Sequence, residues 1–199
     1  MKRRHRREMM GAVPENTPVK SSESSLDDVI ELLRASTAFD LTPGPGPGHH
    51  LLDHSLQTAA VLRTSYPDDP ELQLAGLVHD LGHMLPPYKD EAHAQVAATF
   101  LRPVLGDRIA ELVRLHVPAK RYLVTTDPRY GEALGEDSVI SMERQGGLMS
   151  ADELRDFESE PLSADALVLR RADEAGKVPG LAVPDLDTWI APLRDHSAR

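Results

Sequence analysis

The stretch LVHDLGHML, residues 77–85, places two histidines and an aspartate inside a run of leucine, valine and methionine. Removing ionisable side chains from water is costly unless a partner compensates for the lost hydration. His79, Asp80 and His83 therefore need close partners, which other parts of the chain must supply. The candidates also lie in apolar, helix-patterned segments, and they are His54, His93, His116 and Asp173.

Composition sets limits on the class of protein. The 199 residues suit one domain, and a hydrophobic content of 40% supports a sizeable core. The absence of cysteine leaves histidines and carboxylates as the metal ligands and favours a reducing compartment, so we expect a cytoplasmic protein. A formal net charge of −10 argues against nucleic-acid binding. No apolar run approaches the roughly 20 residues that cross a bilayer, so no membrane partner is expected, and no pattern indicates the oligomeric state.

The first 24 residues differ from the rest of the chain. They are polar and begin with the basic run MKRRHRREMM, which no apolar segment of secretory length follows. We interpret residues 1–24 as a disordered, solvated tail. Residues 25–199 repeat apolar side chains at helical spacing without an alternating strand pattern, which predicts one all-α domain.

Helix signals recur along this domain. Ser25 can cap the first helix, and Asp27 and Asp28 suit the positive end of its dipole. The Pro-Gly run in LTPGPGPGHH, residues 41–50, predicts a loop. The predicted helices cover residues 24–36, 51–66, 70–85, 90–106, 108–123, 138–147, 150–161 and 163–177. In this prediction His79 and Asp80 lie inside a helix, whereas His93 begins one and His116 ends one.

The histidines and aspartates of these helices suggest a metal site. A single such histidine is more often a satisfied core residue than a ligand. Five histidines and two aspartates spread over separate segments are harder to explain in that way. Imidazole with carboxylate suits Fe, Mn, Co or Zn more than Ca, and the two oxygens of an aspartate can bridge two cations.

The order of these residues carries a family resemblance. His54, then HDLGH (79–83), EAH (91–93), RLHVPAKRYL (114–123) and a late Asp173 resemble the HD-domain superfamily, most of whose members are phosphohydrolases. The resemblance implies a helical bundle around a buried two-metal site. Its implied ligands are His54, His79, Asp80, His93, His116 and Asp173.

Further motifs narrow the resemblance. LHVPAKRYL (115–123), ERQGGLMS (143–150) and LRRADEAGKVPG (169–180) are similar to the mixed-valent di-iron oxygenases that act on phosphonates and are related to inositol oxygenase. That branch implies two iron ions (Fe2+/Fe3+), O2 as co-substrate and a small phosphonate substrate. It also implies oxidation of the carbon that bears phosphorus, with C–P cleavage and phosphate release.

The same resemblance assigns residues to the substrate. It places Lys120, Ser138 and Arg170 at the phosphonate, whose oxygens need charge and hydrogen-bond donors. It makes His83 a catalytic base or substrate contact, although a ligand or a packing histidine is also compatible with the sequence. From the residues alone, Lys120 is also compatible with a solvated charge and Ser138 with a helix cap. Arg170 is equally compatible with a partner of Asp165 or Glu174.

The chain departs from the branch before its first metal histidine. The relatives carry a tyrosine and a glutamate there, and Gly44 and Pro47 take those places in this chain. His49 or His50 is a candidate for the role of the tyrosine. Because the glutamate would pair with an amine, its absence predicts a substrate without a free amine, unless Asp53 or Glu91 replaces it. Two other functions use the same ligands, namely a phosphohydrolase of small phosphate esters or nucleotides and a regulatory module without turnover.

Overall fold

The structure is a computed structural model that describes residues 24–41 and 50–197. Within these ranges the secondary structure is helical, apart from an isolated bridge between Asp40 and His50. The predicted all-α class is therefore confirmed. Within the same ranges, no helix combines the length and the apolar character needed to cross a bilayer.

The described chain forms the following α-helices in order. They are α1 (Leu26–Ala35), α2 (Leu51–Ser65), α3 (Pro70–Val78), α4 (His93–Thr126), α5 (Pro128–Glu132), α6 (Glu136–Arg144), α7 (Ala151–Ser159), α8 (Ser163–Ala175) and α9 (Asp187–Ser197). The start of α1 agrees with the prediction, because the Ser25 hydroxyl accepts from the Asp28 N–H and the Asp28 carboxylate accepts from the Ser25 N–H. The apolar pattern predicted neither α5 nor α9.

The helix predicted over residues 70–85 ends earlier than expected. Its α-helical part stops at Val78, and a 3₁₀ turn follows at Leu81–Met84. His79 and Asp80 thus lie in the connection, where Asp80 has φ −99° and ψ 6°. Consecutive residues of an α-helix point about 100° apart, so a continuous helix would send these two side chains in different directions. The early end allows both side chains to approach the His54 ring.

Helix α4 is a hairpin of two arms. Gly106 interrupts its 34 residues with φ 79° and ψ 175°, a conformation that glycine adopts readily. A straight helix would hold residues 93 and 116 about 35 Å apart, yet their side chains meet. The two helices predicted on either side of Gly106 are therefore correct in number. The prediction that His116 ends its helix was wrong, because the second arm continues to Thr126.

The core joins α2, α3, the α4 hairpin and α8. Leu62, Leu77 and Leu112 are fully buried in it, together with Leu169. A cluster of ion pairs joins the helices outside this core. Arg108 donates to both oxygens of Asp69 at 2.7 Å and to Asp165 at 2.9 Å. These contacts tie the start of α3 to α4 and α8, and they position the ends that carry the polar residues.

Gly82 is a point where the fold leaves no room for a side chain. A Cβ at this position would lie 1.9 Å from the carbonyl oxygen of His93. We expect Gly82→Ala to lower the free energy of unfolding by about 1–3 kcal/mol, because the backbone must move to relieve the overlap. Thermal and denaturant unfolding measure this change.

Gly135→Ala is the matched control for this test. Gly135 has φ −64°, which alanine also adopts, and among the described residues its Cβ would lie in open space. Equal stability of the two variants would contradict the close approach of the 3₁₀ turn to His93.

Candidate metal centre and anion pocket

The predicted ligand histidines share one hydrogen-bonding arrangement. Each places its Nδ1 against a backbone carbonyl, which can only accept. The contacts are His54 to Gly176 at 3.0 Å, His79 to Gly76 at 2.9 Å, His93 to Asp90 at 2.5 Å and His116 to Val113 at 2.6 Å. The proton of each neutral ring therefore resides on Nδ1, and the Nε2 lone pair is available to a cation.

These Nε2 atoms face one another in two pairs. His54 Nε2 lies 3.2 Å from His79 Nε2, and His93 Nε2 lies 3.0 Å from His116 Nε2. Two lone pairs at such distances repel each other unless a proton or a metal ion lies between them. The arrangement therefore requires positive charge at two neighbouring points.

Asp80 lies between the two pairs. Its Oδ2 is 3.6 Å from His54 Nε2 and 3.4 Å from His79 Nε2. Its Oδ1 is 3.4 Å from both His93 Nε2 and His116 Nε2. Each carboxylate oxygen thus faces one histidine pair, which is the arrangement of a bridging ligand.

Asp173 joins the first pair. Its Oδ1 lies 3.3 Å from His54 Nε2, and its Oδ2 lies 3.7 Å from His79 Nε2. Ligand atoms about 2.0–2.2 Å from a metal are about 3.0 Å apart at right angles and about 3.5 Å apart in a tetrahedron. Most of the separations lie in this range, and those of 3.6 Å and 3.7 Å lie just above it. The structure thus brings five of the six predicted ligands into two adjoining groups that could each hold a metal ion, His54 with His79 and Asp80, and Asp80 with His93 and His116. Asp173, the sixth, lies against the first group. A third such group, His83 with Asp90 and His93, shares His93 with the second.

Close helix packing positions these side chains. Gly176 follows α8, and a Cβ there would lie 2.5 Å from the Thr58 hydroxyl and 2.9 Å from the Thr58 nitrogen. Glycine therefore lets the end of α8 approach α2 closely enough for its carbonyl to accept from His54. The Gly106 hairpin brings His93 and His116 together in the same way.

The two carboxylates of the cluster, Asp80 and Asp173, are held in their ionised form. Burial alone raises the pKa of Asp80, but the imidazoles of His79 and His116 outweigh it and hold that pKa well below its usual range. Burial is likewise outweighed at Asp173, where the charges of Arg170 and Lys177 hold the pKa well below its usual range. Ionised carboxylates at the centre attract cations.

His83 lies beside this cluster and borders the cavity. Its ring stacks on His93 with centroids 4.1 Å apart, and Phe39 lies on its other side at 5.9 Å. Its Nε2 is 4.0 Å from Asp80 Oδ1, whereas the Nε2 atoms of the four predicted ligand histidines lie 3.4–3.6 Å from an oxygen of Asp80. Burial, followed by the charge of His93, lowers the pKa of His83 to about 4. A neutral imidazole at the cavity wall agrees with the role of a base, which stays a prediction.

Lys120 is not a solvated charge. It is buried, and its ammonium donates to the Ser141 hydroxyl at 2.6 Å and to Gln145 Oε1 at 3.2 Å. Burial, followed by the charges of Arg170 and Lys177, lowers its pKa to about 8. The contacts of this ammonium among the described residues thus go to neutral groups, and its charge is available to an anion.

Ser138 and Arg170 border the same cavity. Ser138 lies inside α6, whose N-cap is Gly135, so the alternative role as a helix cap was wrong. Its hydroxyl donates to Glu174 Oε2 at 3.4 Å. The buried Arg170 donates to Asp173 and Glu174, as well as to the Tyr130 hydroxyl at 2.6 Å.

The remaining predicted residues either do not border the cavity or lie outside the described ranges. Asp165 pairs with Arg108, so it is not the partner of Arg170. Gly44, Pro47 and His49 lie outside the described residues. His50 is the N-cap residue of α2 and is not among the described residues that border the cavity. Asp53 and Glu91 are exposed and do not border it either.

Two residues at the site were missed by the sequence reasoning. Lys177 donates to the Ser138 hydroxyl at 2.9 Å and to Glu174 at 2.8 Å. Its spacing of three residues from Glu174 was the signal that could have identified it. Tyr130 belongs to the short α5, which carries no periodic pattern. A cavity of about 810 Å³ lies beside the ligand groups, and Lys120, Arg170 and Lys177 border it.

Comparisons with known proteins identify the family of this chain. The HD domain family matches residues 51–174. A hydroxymethylphosphonate dioxygenase from Gimesia maris is 37% identical over 197 residues, 88% of this chain and 98% of the relative. A 1-hydroxy-2-(trimethylamino)ethylphosphonate dioxygenase (glycine-betaine-forming) from Leisingera caerulea is 34% identical over 143 residues, 68% and 72% of the two chains. Inositol oxygenase 1 from Arabidopsis thaliana is 53% identical over 64 residues, 32% of this chain and 20% of the relative.

The helical bundle, its adjoining groups of histidines and aspartates that could hold metal ions, and the two dioxygenase relatives together identify an enzyme of the oxygenase class. The chain belongs to the HD-domain family and, within it, to the group formed by the phosphonate dioxygenases. The predicted family is therefore confirmed.

The shared position of Asp80 gives a testable consequence for metal content. We expect Asp80→Ala to lose both ions or bind both far more weakly, because each ligand group loses an oxygen. Metal analysis after purification in iron-rich medium measures this. Asp53→Ala, one residue before His54 and exposed, is the control that should retain both ions. Two equivalents of iron in Asp80→Ala would rule out the bridging role.

Proposed function

We propose that the chain is a di-iron oxygenase that oxidises a small 1-hydroxyphosphonate and cleaves its C–P bond. The observation that carries this proposal is the position of the anion pocket, the part of the cavity bordered by Lys120, Ser138 and Arg170. This pocket lies directly beside the two ligand groups. Arg170 donates to Asp173, a proposed ligand, and also lines the cavity that Lys120 and Ser138 border. A phosphonate held there keeps its neighbouring carbon next to the metal ions. The names of the two phosphonate dioxygenases support the same substrate class.

The proposed reaction balances without an outside reductant. A 1-hydroxyphosphonate dianion and O2 give a carboxylate, hydrogen phosphate and a proton. The C–P bond breaks, and one oxygen atom of O2 enters each product. O2 is the oxidant, and the carbon that bore phosphorus leaves as the carboxylate.

The side chains divide this work. We assign one ion to His54, His79, Asp80 and Asp173, and the other to Asp80, His93 and His116. Bound iron would supply the redox chemistry with O2 and the Lewis acidity that holds the substrate oxygens. Lys120, Ser138 and Arg170 bind and orient the phosphonate. His83, which borders the cavity beside the ligand groups, is assigned the role of the base that accepts the proton of the substrate hydroxyl.

The proposal is tested by oxygen uptake and phosphate release. Iron-loaded protein should consume one O2 for each phosphate released from hydroxymethylphosphonate, and formate should appear in equal amount. Phosphate release from phosphate esters without O2 would instead identify a phosphohydrolase. Absence of iron after reconstitution, or turnover with a redox-inactive metal, would overturn the di-iron assignment.

The charge of Lys120 should contribute to substrate binding. A charge-assisted hydrogen bond contributes about 1.5–3 kcal/mol, so we expect Lys120→Met to raise the substrate KM at least ~10-fold with unchanged iron content. Arg170→Met should also weaken substrate binding, but it removes a contact to Asp173 and is therefore the less selective test.

The control for Lys120 is Arg155→Met. The Arg155 side chain is 68% exposed on α7 and pairs with Asp152, so its loss changes the net charge equally. An unchanged KM in Lys120→Met would contradict the proposed anion pocket. A KM raised equally in Arg155→Met would show that only net charge matters.

The substrate should lack a free amine. Neither Asp53 nor Glu91, the carboxylates proposed as replacements for the missing glutamate, borders the cavity. An ammonium placed in a partly desolvated pocket without a dedicated anion is unfavourable. We expect hydroxymethylphosphonate to be turned over faster than 2-amino-1-hydroxyethylphosphonate. A tenfold advantage for the amino compound would show that another carboxylate, such as Asp90, takes the role.

A further inference from the structure

Lys177 occupies a position that the sequence motifs did not assign. Its ammonium lies 2.9 Å from the Ser138 hydroxyl, 2.8 Å from Glu174 Oε2 and 3.4 Å from Asp173 Oδ1. The side chain is 31% exposed and borders the cavity. An oxyanion that binds the Ser138 hydroxyl therefore also comes close to this ammonium.

The backbone on both sides of Lys177 is fixed to α2. On one side, the Gly176 carbonyl accepts from His54 Nδ1 at 3.0 Å. On the other side, the Gln57 side chain accepts from the Val178 N–H at 3.0 Å and donates to the Val178 carbonyl at 2.8 Å. Two fixed neighbours limit where the Lys177 side chain can reach, and it reaches the cavity.

The charged groups around Lys177 indicate that it also contributes to ligand binding. Glu174 Oε2 receives Arg170, Lys177 and Ser138 together. Asp173, the other carboxylate beside Lys177, is a proposed metal ligand. Lys120 adds a further cation whose hydrogen bonds, among the described residues, go to neutral groups. Arg170, Lys177 and Lys120 thus bring three positive charges to one part of the cavity wall, where Asp173 and Glu174 form the ion pairs with the first two. With Asp173 assigned to a metal ion, two of these positive charges are suited to an anion with two charges.

We propose that Lys177 is a specificity-determining residue, which with Lys120 neutralises the second charge of the substrate and so selects a phosphonate dianion over a monoanion of the same shape. The inference rests on the proposed function and deepens it. Arg170 is buried and held by Asp173, Glu174 and the Tyr130 hydroxyl, so its planar guanidinium orients the oxyanion, while Lys177, the more exposed of the two cations, lies against the Ser138 hydroxyl and adds charge there.

The test compares two tetrahedral probes of equal size, methylphosphonate and methanesulfonate. Binding to iron-loaded protein is measured by calorimetry near neutral pH, where Lys120, whose pKa is about 8, still carries its charge. The sulfonate is a monoanion there, and the affinity for methylphosphonate is calculated from the concentration of its dianion. Wild type should prefer methylphosphonate. Lys177→Met should reduce that preference at least about tenfold, mainly by weakening the dianion. Lys177→Arg should keep most of the preference.

Controls separate this role from a structural one. Arg171→Met removes a cation of α8 whose side chain is 56% exposed and pairs with Asp127, and it should leave the preference unchanged. Lys177→Met should keep its iron and its unfolding temperature, and it should raise the KM for hydroxymethylphosphonate more than it lowers kcat. If this variant does not fold, Lys177→Gln is used for the same comparison.

The outcomes identify which statement fails. An unchanged preference in Lys177→Met, equal weakening of both probes or a loss of iron would overturn the role of Lys177. Those results combined with normal oxygen uptake by wild type would leave the proposed function intact. A wild type that neither turns over hydroxymethylphosphonate nor binds methylphosphonate would overturn both.

Discussion

The convergence of imidazole lone pairs on Asp80 is the constraint around which the protein is built. Backbone carbonyls fix the protons of His54, His79, His93 and His116 on Nδ1, so the opposite nitrogens face one another at 3.0–3.2 Å within each pair. A core with this arrangement is acceptable only with positive charge at two points. Asp80 faces both pairs with separate oxygens, which makes the two points parts of one centre.

Three glycines make this convergence possible by different means. Gly106 turns α4 back on itself, so that residues far apart along the chain meet. Gly82 lets the 3₁₀ turn approach His93, and Gly176 lets the end of α8 approach Thr58. The latter two act through the absence of a side chain rather than through an unusual backbone angle. Helix propensity alone would disfavour glycine at such places, and the close approach explains its presence.

Much of the site could be predicted from the sequence because its signals are local or ordered along the chain. The ligand residues occur in a characteristic order, and the Ser25 cap is encoded within four residues. The end of α3 was predicted too late because apolar residues continue through the 3₁₀ turn. The close approach of Gly82 to His93 is a tertiary contact, which the periodicity of the sequence does not reveal. Tyr130 was missed since five helical residues show no period. Lys177 follows its helix. Its spacing from Glu174 predicts their ion pair, but the packing against Gln57 that directs it to the pocket is tertiary.

The separation of the ligands along the chain links metal supply to the survival of the protein. His54 and Asp173 are far apart in sequence, so the centre exists only when α2, α3, α4 and α8 are all in place. Any ion that binds the folded chain and not the open one shifts the equilibrium towards the folded state. When metal is scarce, the same nitrogens repel one another, and a larger fraction of molecules opens to cellular proteases. The number of folded molecules would then follow the supply of the metal that binds this centre.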